Sequence, residues 1–539
     1  MARTEWNLAD VWEAVAHRLG DEIAFCHGAF SLSWAEWSKR ADALSSHLVS
    51  AGLGRQDKVA QYCRNRPQYL EAMFAAFKAG LVTVNTNYRY GDDELVYLFE
   101  DSDTAAVVFD AEFTESCERI RHRLPAIRSW LRIGDEENCP AWADSYEEVV
   151  STAAPTDFAA PWGRGGQDLL LLYTGGTTGM PKGVMWPQHE FFLMIEEQYG
   201  RTPPESSNPA YLEQGGRRGP RVLPGPPLMH GTACWFAMAA LFAGGSVVTL
   251  TSRSFDPLEL LDTVVRQQVK GICIVGDPFA RPLLAELEAA PRRWDLSRVR
   301  LVMSSGAMLS RQNKERLLRH FCNARLVDGL GSSESGSLAS SSVSRGERTA
   351  PASFRPRSTV RVLDESDRDV SPGSGEAGRL AVAGHLPLGY YKDPEKTAST
   401  FREIEGRRYV VAGDWAKVES DGTITLLGRG SGCINTAGEK VYPEEVEEVI
   451  KETPGVVDAA VVGVPDDAVG EAVVALVSIA DDTGLDEAGL ISHVKERLAG
   501  YKAPKRVLVV QSVERHANGK LDYSNARATA LGLLGLDQT

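Results

Sequence analysis

The pattern of apolar and polar positions predicts alternating strands and helices in two stretches of the chain. In residues 58–110, apolar runs predict strands at Lys58–Tyr62, Leu81–Val84 and Ala105–Phe109. Between them, Pro67–Lys78 has the spacing of an amphipathic helix, and Asp93–Glu100 is a second predicted helix. Such alternation is typical of βαβ units in a largely parallel sheet. A second stretch, residues 223–330, repeats the pattern with predicted strands near Ser246–Leu250, Gly271–Val275, Val299–Met303 and Ala324–Val327.

The pattern changes twice in the C-terminal half. From about residue 355 to 427, short β-like pieces such as Gly378–Val382 predict a β-rich subdomain. After Gly428, helical patterns at Glu444–Glu452 and Leu485–Leu498 indicate a compact α+β unit. Residues 200–222, rich in Gly, Pro, Ser and Arg, are predicted to form a surface excursion. The sequence thus predicts an α/β protein in which residues 1–428 form a large domain of two doubly wound α/β subdomains plus a β-rich subdomain. Residues 429–539 form a small α+β domain.

Composition and charge narrow the class of protein. A chain of 539 residues with 43% hydrophobic and 24% charged residues is a multidomain globular protein. Its net charge of −15 disfavours nucleic acid and anionic lipid as partners. The eight cysteines are scattered without a C-x-x-C spacing, as expected for reduced thiols. Because the N-terminus lacks a signal-peptide pattern and no apolar run could span a bilayer, we expect a cytoplasmic protein without a transmembrane segment.

The segment Tyr173–Gly183, of sequence YTGGTTGMPKG, carries the strongest chemical signal. It follows the apolar run Asp168–Leu172, which predicts a buried strand. Glycines let the backbone approach a phosphate closely, while amide groups, hydroxyls and one lysine supply donors and charge. It is not a Walker loop, because Lys182 follows a proline and precedes a glycine.

This segment resembles the phosphate loop of the adenylate-forming enzymes, which include acyl-CoA synthetases, adenylation domains of peptide synthetases and luciferases. The resemblance covers essentially the full chain, with the motifs in the family's order. The amino-acid sequences of Gly183–Trp186 and Gly438–Tyr442 are similar to those of actinobacterial fatty-acid and sterol-side-chain CoA ligases. The further motifs are Pro227–Gly231, Ser304–Met308, Asp328–Glu334, Ala412–Asp414, Gly428–Arg429, Gly438–Glu447 and Asn518–Lys520.

The resemblance implies binding of ATP, Mg²⁺ and coenzyme A, with a small domain that rotates between two half reactions. The implied catalytic residues are Lys520, Glu334, Thr178 and His230, and Glu334 is the implied Mg²⁺ ligand. Ser431 lies at the implied hinge, and Gly438, Glu439 and Lys440 at the implied CoA channel. The implied nucleotide-binding residues are Thr174, Gly175, Gly176, Thr177, Thr178, Gly179, Lys182, Gly306, Ala307, Asp328, Gly329, Ser333, Asp414, Arg429 and Lys520.

Departures from the family pattern affect the predicted substrate. Gly175 replaces a serine of the typical phosphate loop, and Leu330 stands where many members stack an aromatic ring on adenine. Gly331 replaces the tryptophan that closes the acyl pocket of acetyl-CoA synthetases and is expected to leave that end of the pocket open, so we expect a medium, long or bulky hydrophobic acid. The predicted substrate pocket comprises His230, Trp235, Gly306 and Gly331. Trp235, Phe236 and Met238 either line this pocket or pack in the core, the more common role of such residues.

The predicted function is therefore that of an AMP-forming acyl-CoA ligase acting on a medium, long or bulky hydrophobic carboxylic acid, such as a fatty acid or a steroid side-chain acid. Two alternatives stay open: transfer of the acyl group to a carrier-protein thiol, and a catalytically silent nucleotide- or acyl-binding sensor. The intact set of Lys182, Glu334, Asp414, Arg429 and Lys520 argues against the silent sensor. The oligomeric state is left open, with a homodimer among the allowed arrangements.

Overall fold

The computed structural model describes residues 5–152, 158–176, 179–203, 207, 218–347, 353–429, 432–436, 439–466, 469–480, 485–513, 515 and 521–536. Most of the predicted excursion at 200–222 lies outside these residues. Within them, the helices are too short or too polar for any to cross a membrane.

The first 152 residues alternate helices and strands. They contain α1 (Leu8–Leu19), β1 (Ile23–His27), β2 (Phe30–Ser33), α2 (Trp34–Ser50), β3 (Lys58–Tyr62), α3 (Pro67–Lys78), β4 (Val82–Asn85), α4 (Asp92–Asp101), β5 (Thr104–Asp110), α5 (Thr114–Ile120), β6 (Ser129–Ile133), β7 (Asp144–Ser145) and α6 (Tyr146–Ser151).

The middle of the chain continues this alternation after a long hairpin. Its elements are β8 (Leu169–Gly176), β9 (Gly179–Pro187), α7 (Gln188–Gln198), β10 (Arg221–Pro224), α8 (Gly231–Phe242), β11 (Ser246–Thr249), α9 (Pro257–Arg266), β12 (Gly271–Ile274), α10 (Gly276–Ala289), β13 (Leu301–Ser305), α11 (Arg311–His320), β14 (Arg325–Ser332) and β15 (Gly336–Ser344).

The remaining residues are strand-rich at first and then mixed. They form β16 (Ser353–Pro356), β17 (Val360–Leu363), β18 (Ala377–Val382), β19 (Gly389–Tyr390), α12 (Pro394–Thr400), β20 (Phe401–Ile404), β21 (Arg407–Val410), β22 (Asp414–Val418), β23 (Ile424–Arg429), β24 (Ile434–Thr436), β25 (Glu439–Val441), α13 (Pro443–Lys451), β26 (Val456–Asp466), β27 (Gly470–Ile479), α14 (Glu487–Arg497), β28 (Arg506–Val509) and α15 (Tyr523–Leu534).

The described strands form three sheets. An 8-stranded sheet has the order β19-β9-β8-β4-β3-β5-β6-β7 and is parallel from β8 to β7. A 15-stranded sheet runs from β2 and β1 through the parallel strands β11, β10, β12, β13 and β14 into the antiparallel β-rich subdomain. The small 5-stranded sheet contains β24 to β28. The predicted βαβ organisation and fold class are confirmed, whereas the domain boundary at 428/429 stays a prediction.

The prediction that Pro67–Lys78 is amphipathic is wrong, although the predicted helix bounds are those of α3. Every residue of α3 is buried, including Gln68, Glu71 and Lys78. Partners compensate for the burial of these polar groups: Arg40 donates to Glu71 at 2.8 Å, and the Lys78 ammonium lies 2.6 Å from Asp42. The helix is covered on all sides because α1 and α2 pack over it, a tertiary contact that its own sequence does not reveal.

The half-buried side chain of Glu444 lies at the predicted junction between the large and small domains. Glu444, in the first turn of α13, presses its carboxylate against Gly428 of β23, where a Cβ atom would overlap it. The Tyr442 ring lies 6.2 Å from that of Trp415, between ring centroids. Burial, together with the nearby carboxylates of Glu447 and Asp414, raises the pKa of Glu444 to about 8. Tyr523 also faces this carboxyl group and lowers its pKa.

We predict that this junction weakens as the pH rises. Because the pKa of Glu444 in the structure exceeds its ordinary value of 4.5, the folded state binds a proton that the unfolded state releases. Its contribution to stability is fully present below the ordinary value and declines until the pH passes about 8. The Glu444→Gln variant should therefore gain thermal stability relative to the wild type as the pH rises over this window.

The measurement is the unfolding midpoint of both proteins from about pH 5 to about pH 8. Glu445→Gln is the matched control, since Glu445 lies on the same helix but pairs with Lys502 at 2.5 Å. If the difference in unfolding midpoint between Glu444→Gln and the wild type stayed constant over this pH range, the raised pKa of Glu444 would be contradicted.

Candidate active site

A cavity of about 640 Å³ lies between the 8-stranded sheet, the C-terminal ends of β12, β13 and β14, and the small domain. Its wall includes polar residues near the phosphate hairpin and apolar residues near α8. The lining residues important for the site are Asn85, Leu172, Tyr173, Thr174, Met180, Pro181, Met229, His230, Trp235, Phe236, Val275, Met303, Gly306, Gly329, Leu330, Gly331, Ser333, Arg515 and Leu521.

The predicted phosphate loop connects β8 and β9, whose antiparallel pairing places Thr174 opposite Lys182. The register depends on a glycine: a Cβ on Gly183 would lie 2.6 Å from the ring of Tyr173. The Tyr173 hydroxyl donates to Asp101 at 2.6 Å and fixes the ring over that glycine. Lys182 forms an ion pair with Asp393, and hydrogen bonding to Lys182 lowers the pKa of Asp393. Thr177 and Thr178 lie outside the described residues, so their predicted roles stay predictions.

Glu334 lies in the tight turn between β14 and β15, and the neighbouring sheet holds this turn. The Trp186 indole of β9 donates to the Ser333 carbonyl at 2.9 Å. The buried Tyr390 of β19 donates its hydroxyl to Glu334 Oε1 at 2.7 Å. Since β19 pairs with β9, the phosphate hairpin and the acidic turn are joined by two side-chain hydrogen bonds.

The surroundings of Glu334 fit Mg²⁺ bound chiefly through substrate phosphates. Among the described residues, no group of three or more His, Cys, Asp or Glu is arranged to hold a metal ion. Mg²⁺ is commonly bound by one or two carboxylates together with phosphate oxygens and water. A single carboxylate that is oriented through Oε1 matches that donor set.

Some of the predicted adenine and ribose residues line the cavity, and other described ones do not. Gly329 and Ser333 line the cavity, as does Gly306. Asp328 is buried with its carboxylate 2.8 Å from the Lys314 ammonium, and burial raises its pKa. Ala307 packs against the core of the second subdomain. Asp414 is buried at the start of β22, opposite Arg429 in the strand register. The side chain of Arg429 is outside the described part, and the nucleotide roles of these residues stay predictions.

The four predicted pocket residues, His230, Trp235, Gly306 and Gly331, all line the cavity. Trp235 also packs against the rings of Trp186 and Phe191, with centroids 6.1 and 5.6 Å away; its contact with the acid stays a prediction. Phe236 lines the cavity as well, whereas Met238 is buried in the core.

The space at Gly331 differs from the expectation of an open pocket end. Although Gly331 lines the cavity, a Cβ there would overlap the Gly336 carbonyl oxygen, because β14 and β15 are closely paired at a bulge. The space next to this glycine is therefore filled by backbone, and a side chain could enter only if β15 moved.

The small domain reaches the cavity through Arg515 and Leu521. Lys520, Ser431 and Gly438 lie outside the described residues, and the side chains of Glu439 and Lys440 are not described. The catalytic, hinge and CoA-channel roles of these residues thus stay predictions.

Sequence reasoning missed Asn85, Tyr390 and Arg515. Asn85 ends β4 and Tyr390 lies in a two-residue strand, and each acts on a segment that is distant in sequence. Of these three residues, only Asn85 could have been found from the sequence, because it lies at the carboxyl end of a predicted parallel strand, where ligands bind in α/β sheets.

Known proteins share this fold. The chain superposes on an anthranilate CoA ligase bound to anthranoyl-AMP with a TM-score of 0.84 and 21% identity, covering 99% of this chain and 98% of that one. It superposes on ATP-bound MatB from Rhodopseudomonas palustris with a TM-score of 0.80 and 27% identity, covering 97% and 99%. The fold is thus that of the adenylate-forming enzymes.

Sequence comparisons agree along the whole chain. A medium/long-chain-fatty-acid–CoA/3-oxocholest-4-en-26-oate–CoA ligase from Mycolicibacterium smegmatis is 38% identical over 97% of this chain and 96% of its own length. A 3-oxocholest-4-en-26-oate–CoA ligase from Rhodococcus rhodochrous is 35% identical over 97% and 95%. The sequence model of the AMP-binding enzyme family matches residues 12–391, and that of its C-terminal domain matches residues 445–520. The chain belongs to the AMP-binding enzyme family.

We predict that Gly331→Ala destabilises the protein and lowers turnover of every acid, rather than shifting the acid preference. Opening the β14–β15 pair to admit a methyl group should cost about 1–3 kcal/mol. Thermal unfolding and an acid-length profile measure the two effects. Gly329→Ala is the matched control, because its Cβ would meet Ser304 and Ser305 atoms only at 3.7–3.8 Å. Equal stability of the two variants, with a changed acid profile for Gly331→Ala, would refute this explanation.

Proposed function

We propose that this protein is an ATP-dependent acyl-CoA ligase for medium, long or bulky hydrophobic carboxylic acids. The observation that carries the proposal is that one cavity joins the phosphate hairpin, the His230 segment and an apolar wall. Thr174 lies at the hairpin side, and Phe236 and Val275 belong to the apolar wall. A carboxylate at the boundary of these regions would face bound phosphates while its tail is removed from water.

In the first half reaction a carboxylate oxygen attacks the α-phosphorus of ATP, an oxygen–phosphorus bond forms, and pyrophosphate leaves. Two anions must approach, so the site needs fixed donors and positive charge. Backbone amides of the hairpin, Thr174 and Lys182 would supply these to the phosphates. Mg²⁺, held by Glu334, would neutralise phosphate charge. The nucleophile is already ionised at neutral pH, so no general base is required.

In the second half reaction the thiol sulfur of CoA attacks the acyl carbonyl, its proton goes to solvent, and AMP leaves. The small domain contributes Leu521 to the cavity wall in this structure. Rotation of this domain would remove Lys520 and bring the segment around Gly438 to the reaction centre. A cytoplasmic location and a homodimer remain predictions.

The substrate class rests on two lines of support. The relatives from M. smegmatis and R. rhodochrous carry names that include medium- and long-chain fatty acids and a steroid side-chain acid. The apolar wall around Phe236, Val275 and Met303 provides a surface for such tails. We propose that the protein accepts acids of these two types and not acetate.

The test is formation of AMP and thioester from ATP and Mg²⁺, with and without CoA, across acetate, octanoate, palmitate and a steroid side-chain acid. The expected result is CoA-dependent thioester with at least one of the three larger acids. Pyrophosphate release without thioester would indicate a different thiol acceptor and overturn the CoA assignment. Binding of ATP without turnover of any acid would favour the silent sensor.

We predict that Lys520→Ala separates the two half reactions. The lysine should stabilise charge between the carboxylate and the α-phosphate, so its loss should slow adenylation by on the order of 10²–10³-fold. Thioester formation from supplied acyl-adenylate should persist, because the lysine has left the site by then. Lys505→Ala is the control, since Lys505 pairs with Asp466 on the small domain at 3.1 Å. Equal loss of both half reactions would contradict domain rotation.

A further inference from the structure

Asn85 joins two segments of the cavity wall through its side-chain amide. Its Nδ2 donates to the Tyr173 carbonyl at 2.8 Å and to the Met229 carbonyl at 2.8 Å. Its Oδ1 accepts the Tyr173 backbone N–H at 2.6 Å. Both hydrogens of the amide and its oxygen are therefore committed to backbone groups.

The position of Asn85 at the end of β4 explains this bonding. The backbone pairing of β4 with β8 has its register pair at Val84 and Leu171. Beyond that pair, the Asn85 side chain contacts both the N–H and the C=O of Tyr173, as a neighbouring strand would. It thereby supports β8 where the strand approaches the phosphate loop.

Asn65 also forms hydrogen bonds with the segment that precedes His230, which Asn85 contacts at Met229. Its Nδ2 donates to the Pro226 carbonyl at 2.9 Å, and its Oδ1 accepts the Leu228 N–H at 2.6 Å. Residues 226–229 are thus held by two asparagines, one that follows β3 and one that ends β4. His230 comes next in the chain and precedes the first residue of α8.

The two asparagines differ in what they connect. Among the described residues, the side-chain hydrogen bonds of Asn65 reach only the segment before His230, whereas those of Asn85 reach that segment and the phosphate-loop strand together. Asn85 therefore fixes the separation between the residues predicted to contact the acid and those predicted to contact ATP.

We propose that Asn85 is a positioning residue for acid activation, which holds the His230 segment and the phosphate-loop strand at the spacing that in-line attack requires. This inference rests on the proposed ligase function. Reacting atoms must be held close to the geometry of attack, and a displacement of about 1 Å can cost on the order of 10²-fold in rate. The thioester step has no phosphate as electrophile, so it should depend less on this spacing.

An aspartate could not replace Asn85 in this role. A carboxylate would still accept the Tyr173 N–H, but it would place negative charge against the two carbonyl oxygens. Asn85→Asp is therefore nearly isosteric with the wild type while it removes both donated bonds.

The first experiment compares half reactions in the full-length protein. Asn85→Asp and Asn85→Ala should lower kcat for acid-dependent pyrophosphate exchange about 10- to 100-fold. Thioester formation from supplied acyl-adenylate and CoA should stay within about twofold of the wild type. Asn323→Ala is the control: Asn323 also donates to a backbone carbonyl, that of Ser297 at 3.0 Å, but it is not among the cavity residues.

Equal losses in both half reactions would identify Asn85 as merely structural and overturn the proposal, as would unchanged pyrophosphate exchange. If the wild type itself activated no acid, the proposed function would fail, and a measurement without turnover then decides on Asn85. That measurement is backbone amide exchange of segments 169–174 and 226–230. Asn85→Ala should accelerate exchange in both segments, and Asn65→Ala only in the second; protection unchanged in both segments for Asn85→Ala would overturn the inference.

Discussion

The pairing of β8 with β9 is the constraint on which the rest of the site depends. Gly183 makes the pairing possible because the Tyr173 ring occupies the place that a side chain would take. The hairpin then has a neighbour on each side: β4 supports it through Asn85, and β19 pairs with its other edge. Since β19 also carries Tyr390, which bonds Glu334, a slip of this one register would displace the phosphate loop, the predicted metal ligand and the His230 segment together.

The junction with the small domain contains carboxylates that are removed from water rather than a closely paired strand. Burial raises the pKa of Glu448 to about 6, and its Oε2 has no hydrogen-bond partner among the described residues. Glu444 lies one turn earlier on α13 and is similarly shifted. For Glu448, desolvation outweighs the attraction of the nearby cations Lys451 and Lys314, and such uncompensated desolvation weakens an interface. A junction weakened in this way would favour the proposed rotation of the small domain.

The sequence predicted local structure well and tertiary consequences poorly. The parallel strands and α3 were found because their apolar patterns are strong, and some cavity residues, such as His230 and Gly331, were found through their motifs. The full burial of α3 could not be predicted, since it results from α1 and α2 packing over polar positions that would otherwise face water. Tyr390 and Asn85 were missed because a single tyrosine or asparagine has no pattern until the fold brings its partner close.

Gly331 shows that motif comparison can identify a residue of the pocket without revealing how much free space lies beside that residue. Gly329 and Gly331 both line the cavity two residues apart, and neither carries a side chain. At Gly329 a methyl group would meet only ordinary contacts, whereas at Gly331 it would collide with the backbone of β15. The width of the pocket at this end is set by the β14–β15 bulge rather than by a missing side chain. The turn between the same two strands carries Glu334, so this end of the cavity and the predicted Mg²⁺ ligand share one support.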